Sequence, residues 1–112
     1  MPTTNDLSVS VEDDRAVVGL RGEHESYSAD RLARHLDSLL AEGLSIAVDL
    51  TATEFVDSTV IGVLLAGSRR AEARQLCFVL VVGESTGWPV QRLLDVTGLR
   101  RQFDVVGESA IR

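Results

Sequence analysis

Apolar and polar side chains alternate from Leu7 to Val11, and that two-residue period predicts a half-buried strand. Glu12-Asp13-Asp14 forms an acidic turn, and Ala16-Val17-Val18-Gly19-Leu20 resumes as a second strand, so the pair predicts an antiparallel hairpin. Gly22-Glu23-His24-Glu25 then leaves the sheet. Ser26 and Ser28 both suit a helix N-cap, with Asp30 in the first turn, where the helix dipole favours an acid. There the period changes. Leu32, Leu36, Leu39 and Leu40 follow the i, i+4, i+7, i+8 spacing of one helix face, and Gly43 is a natural terminator. Ser45 to Leu50 predicts an interior parallel strand and Thr51 to Val56 a loop. Helical spacing returns through Ile61, Leu64, Leu65 and Ser68. Leu76 to Val82, the most apolar run, reads as another buried strand. Pro89 suits the first position of a short helix carrying Val90, Leu93 and Leu94, which Gly98 ends. Phe103, Val105 and Val106 predict a short final strand or a packed extended segment.

The order β-β-α-β-α-β-α predicts an α/β fold: a small mixed β-sheet backed by helices, with crossover connections after the opening hairpin. Met1 to Asp6 is polar and is read as a flexible tail, and residues 7–112 as one domain of ordinary size.

Composition narrows the chemistry. No apolar run approaches the ~20 residues that span a bilayer, and the first residues lack the basic start and apolar stretch of a secretion signal. The expectation is a cytoplasmic protein with no membrane insertion. A single cysteine, Cys77, agrees with a reducing compartment. The net charge of -6 argues against direct nucleic-acid binding, which wants a basic face. All 11 cationic residues are arginines, which removes Schiff-base catalysis, a P-loop lysine and a lysine general base.

Other catalytic sets fail on spacing. His24 and His35 stand apart from any second ligand at metal spacing, so both are read as surface or boundary histidines and no metal or cofactor is expected. Gly62 and Gly67 have P-loop separation, but apolar helical residues lie between them and Arg69 stands where Lys-Ser/Thr is needed. Those glycines are read instead as letting the helix approach the sheet. Ser58 is not in a nucleophile elbow and has no recognisable base. The chain is therefore not expected to be an enzyme.

Asp57-Ser58-Thr59 remains, at the start of the second helix. Its plain reading is an N-cap worth about 0.5–2 kcal/mol. Its functional reading is a hydroxyl placed for another protein, with Phe55 and Val56 before it and Val60 after it supplying apolar surroundings.

These residues resemble a family. Val48-Asp49-Leu50-Thr51, Phe55-Val56-Asp57-Ser58-Thr59 and Gly62-Val63-Leu64-Leu65 look like the signature of STAS domains, most of all the bacterial anti-sigma-factor antagonists. Gly22-Glu23 after the second strand, Pro89 to Leu94 and Thr97-Gly98-Leu99 extend the likeness over nearly the whole chain. The resemblance implies a STAS-like fold, with Ser58 as phosphoacceptor and Asp57 and Thr59 flanking it. It implies two partners: an anti-sigma factor with serine kinase activity, bound by the unphosphorylated form so that a sigma factor is freed, and a serine phosphatase. Where that family commonly has glycine, this chain has Val60, and Glu23-His24-Glu25 also departs from the usual pattern.

Val60 and Val63 are expected to dock on an apolar patch of the partner, with Glu54 beside them. Phosphate on Ser58 then acts at the interface and leaves the domain itself little changed. Two alternatives use the fold without a phosphoswitch: a STAS-like subunit of a lipid-transport ATPase, and a scaffold in a stress-sensing assembly. Trp88 is expected to be a packing residue.

Overall fold

The computed structural model describes residues 5–111. The hairpin comes first: β1 (Asn5–Glu12) and β2 (Arg15–His24) pair antiparallel along their whole length, from Asn5 opposite Gly22 to Glu12 opposite Arg15. Asp13 turns the chain with φ +55°, a left-handed position that Asp tolerates better than most side chains. Asn5 and Asp6, expected in the tail, are thus in β1, while residues 1–4 lie outside the described residues.

β2 is the strand on which the sheet turns. β3 (Ser45–Asp49) pairs parallel with its first half, and β4 (Thr53–Val56) pairs parallel with its last residues. Between these partners β2 shifts register at Gly22 and Glu23, with Gly22 at φ +85°. β5 (Phe78–Val82) lies beside β3 and β6 (Asp104–Gly107) beside β5, both parallel, giving the order β1-β2-β3-β5-β6.

Three of the parallel strands feed an α-helix. α1 (Ser26–Ala41) follows β2, α2 (Ser58–Ala73) follows β4, and α3 (Trp88–Val96) follows β5. All three helix N-termini therefore gather at the carboxyl edge of the sheet, where α/β folds place their working residues. α1 and α2 pack on each other, and α3 packs on β4. The mixed α/β architecture is as predicted.

The leucine face of α1 is the core: Leu32, Leu36, Leu39 and Leu40 are buried, together with Val18, Leu20, Ile46, Val48, Leu64, Leu80 and Leu94. Gly67 brings α2 close, since a Cβ there would stand 3.0 Å from the Phe78 ring and 3.2 Å from Leu36. Gly62 does not share that role, because a Cβ there meets nothing within 4 Å.

Three local expectations change. The predicted loop Thr51 to Val56 contains β4, hidden because its interior position is held by a threonine. Thr53 is buried and its Oγ1 donates to Leu20 O at 2.6 Å. The jog into β4 is an Asx turn in which Asp49 Oδ1 accepts from Thr51 N at 3.0 Å and from Thr51 Oγ1 at 2.7 Å. Glu25, not Ser26 or Ser28, is the N-cap of α1, with no side-chain cap bond and no acid in the first turn. His24 does not leave the sheet, for it ends β2 with its side chain enclosed.

Candidate functional site

The junction of β4 and α2 divides two tasks between adjacent residues. Asp57 has extended backbone angles and is the N-cap, and its Oδ1 accepts from Val60 N at 3.0 Å. Its own N–H donates to His24 O at 3.2 Å, which carries the β2–β4 pairing up to the helix cap. Because the aspartate caps, Ser58 does not. Ser58 is the first helical residue and is exposed, and its hydroxyl has no hydrogen-bond partner among the described residues. Thr59 beside it is exposed as well.

The predicted apolar neighbours separate. Val60 is fully buried with Ile61 and Leu64 in the core, so it is not a docking contact. The reason is geometric: Val60, Leu64, Gly67 and Ala71, spaced by four, three and four residues, are all buried on the inner face of α2. Val63 is half-buried and lines the shallow groove between α1 and α2 with Thr59, Gly62, Ala33 and Ala66. Glu54 is exposed on β4.

Two aromatic residues at this edge are exposed. Trp88 opens α3 at 68% exposure, with the Arg92 guanidinium 5.2 Å from its ring centroid, a cation–π contact. It is not the packing residue expected. The loop before it is held against β4: Gly87 N donates to Thr53 O at 2.7 Å, and a Cβ on Gly87 would stand 2.3 Å from Glu54 O. Glycine at 87 is thus what lets Trp88 stand beside the Glu54 strand. Tyr27, in the first turn of α1, is 62% exposed. The pattern along the chain gave Tyr27 no role.

His24 sits behind this edge. It is fully enclosed, with Nδ1 3.2 Å from Ser28 Oγ and Nε2 3.2 Å from both Asp6 O and Arg21 O. Burial, the largest influence, holds its pKa below the ordinary histidine value of 6.5, and Arg31 adds to that lowering. Carbonyls of Arg21 and Asp6 and the charge of Asp6 act the other way. His35 is exposed on α1, away from the core stripe. Among the described residues no three of His, Cys, Asp and Glu form a metal-holding group, and no helix is long and apolar enough to cross a membrane.

Comparison with known proteins bears on this arrangement. A family model described as Mlab, STAS domain, matches residues 7–107. Among solved structures, an anti-sigma factor antagonist from Mycobacterium paratuberculosis superposes with a TM-score of 0.75 at 23% identity, covering 92% of this chain and 86% of that one. The anti-sigma factor antagonist SpoIIAA in its unphosphorylated form gives 0.77 at 18% identity, covering 94% and 91%. The Bacillus cell fate determinant SpoIIAA in the phosphorylated form gives 0.70 at 17% identity, covering 96% and 95%. These likenesses place the mixed sheet and three helices in the same fold.

Proposed function

The chain belongs to the STAS domain family, and from that premise we propose that it is an anti-sigma-factor antagonist switched by phosphorylation of Ser58. In this reading the unphosphorylated protein binds an anti-sigma factor that is also a serine kinase, and a sigma factor is freed. The kinase then modifies Ser58, a serine phosphatase reverses it, and the cycle runs in the cytoplasm. The chain supplies a docking surface and a substrate hydroxyl, and no catalysis of its own. One observation carries the proposal: Asp57 takes the capping role, which leaves the Ser58 hydroxyl exposed at the head of α2.

Phosphate there adds about -1.5 to -2 charges at neutral pH. The helix dipole and the first-turn N–H groups favour that charge, while Asp57 and Glu54 oppose it, so the fold tolerates the change. The partner does not. With Val60 in the core, the contact surface consists of Val63 and Glu54 together with exposed Tyr27 and Trp88, aromatic anchors of the kind that dominate interfaces. Desolvating a phosphate dianion among them costs several kcal/mol unless it is paired, and about 1.4 kcal/mol is a tenfold change in affinity. Ser58→Asp is expected to bind the anti-sigma factor at least about tenfold more weakly than wild type in calorimetry. Equal affinity overturns the switch.

The matching family model is described by Mlab and not as an anti-sigma factor antagonist, which favours one second reading. There the same edge docks on a lipid-transport ATPase, with Ser58 or Thr59 as a plain contact. Co-purification separates the two, by whether a serine kinase or a transporter is recovered.

A further inference from the structure

We propose that His24 is the positioning residue of the Ser58 junction: its ring and its carbonyl lock the first turns of α1 and α2 to the β1–β2 hairpin, and proton uptake by the ring loosens that lock. The geometry is a hub. Nε2 lies 3.2 Å from the carbonyls of Asp6 on β1 and Arg21 on β2, so it carries a hydrogen and donates to them. Nδ1 faces Ser28 Oγ in the first turn of α1. The main-chain oxygen of the same residue accepts from Asp57 N, one residue before Ser58. Four segments thus meet on one residue, and two of them are the helix starts that form the exposed edge.

The proton count gives the lock its pH dependence. With Nε2–H committed to carbonyls, the neutral ring offers Nδ1 only as an acceptor for the Ser28 hydroxyl. That hydroxyl also lies 3.0 Å from Glu25 O, to which it donates when the ring does not claim its hydrogen. In the protonated ring Nδ1–H donates to Ser28 Oγ instead, and the site holds a positive charge away from water. The charged groups around the ring do not neutralise it evenly. Asp6 on β1 attracts the imidazolium, and Arg31 on α1 repels it. Arg21 faces it through its carbonyl, the Glu25 carbonyl accepts from Ser28 Oγ, and the Asp57 carboxylate on the α2 side is engaged with Val60 N.

Burial outweighs the Asp6 attraction, so acid favours an opened junction in which the ring reaches water. The sign follows. The unfolded or opened ring takes its proton near 6.5 and the closed one lower. Closure is complete above 6.5 and weakens as pH falls from there through the folded value. The inference uses the phosphoswitch reading only for its consequence, slower modification of Ser58 in acid.

The test is amide hydrogen exchange by NMR between pH 7.5 and 5, reading the protection factor of Asp57 N–H in wild type and in His24→Gln, with Leu80 N–H in the central strand β5 as the report on global unfolding. Dividing each rate by the intrinsic exchange rate at the same pH removes the pH dependence of the exchange chemistry, and Asp57 protection below that of Leu80 marks its exchange as a local opening. In wild type Asp57 protection is expected to fall by more than about threefold as pH drops from 7.5 to 5, because the opened ring takes up a proton that the closed ring resists. In His24→Gln, which keeps a donor and an acceptor without a titrating ring, Asp57 protection is expected to change by less than about twofold. Wild-type Asp57 protection that stays flat overturns the proposal without any variant, and so does His24→Gln protection that falls in parallel with wild type.

The consequence is read separately. The ratio of wild-type to His24→Gln phosphorylation rates cancels the kinase's own pH response, and it should fall in step with protection. A flat rate ratio beside changing protection overturns the coupling to Ser58. Absence of phosphate on either protein overturns the phosphoswitch reading and leaves the exchange result to decide the lock.

Discussion

Two neighbouring helix starts use nearly the same words to opposite effect. At α1 the chain reads Glu25-Ser26-Tyr27-Ser28, and at α2 it reads Asp57-Ser58-Thr59-Val60, each an acid at the cap followed by a hydroxyl residue. Asp57 is short enough for its carboxylate to reach the N–H three residues on. Glu25, one methylene longer, makes no side-chain cap bond. The third helical position then differs. Ser28 is buried and bonded to Glu25 O and toward His24, whereas Val60 is buried among aliphatic side chains. In α1 the polar group turned inward is a serine that stabilises the junction. In α2 the inward group is a valine, and the only serine of the turn is left for solvent. Whether a hydroxyl is structural or available is set by its distance from the cap and by which neighbour already satisfies the helix.

The largest effect that sharpens this contrast is at Val60. Removing two buried carbons in Val60→Ala is expected to cost about 2 kcal/mol in urea denaturation, from lost burial and incomplete collapse. A cost under ~0.5 kcal/mol would return Val60 to the surface and to the partner contact. A smaller effect separates the two caps. Asp57→Ala is expected to lose about 1 kcal/mol as a cap bond disappears, and Glu25→Ala to stay within ~0.5 kcal/mol. Equal losses at both positions would break the comparison.

Much of this architecture is legible in the chain, and the exceptions have physical reasons. The leucine spacing of α1 reports one buried face and is found as written, whereas the alternation in β1 gives the strand and not its burial, since Leu7 is half-buried and Val9 and Val11 are exposed. β4 is four residues long and puts Thr53 at an interior position, where a hydroxyl bonded to Leu20 O replaces the apolar side chain that a strand pattern needs. The same substitution hid His24. Ala16, Val18, Leu20 and Gly22 share its parity in β2 and are all buried, so the two-residue period reached further than polarity suggested. Val60 was legible by spacing with Leu64, but its place next to Ser58 drew attention to the surface. Trp88 was misplaced because a large aromatic suggests packing. Its exposure depends on a contact between Gly87 and β4, residues far apart in sequence. Ser58 itself was legible, whereas the division of labour with Asp57 required the cap geometry.

The most direct test of the central claim uses Ser26 as the internal control for Ser58, since both are exposed serines that open a helix. Wild type, Ser26→Ala and Ser58→Ala are incubated with the cognate kinase and ATP, and their intact masses are recorded. One phosphate on wild type and on Ser26→Ala, with none on Ser58→Ala, is the expected result. Phosphate added equally to Ser58→Ala would contradict the account.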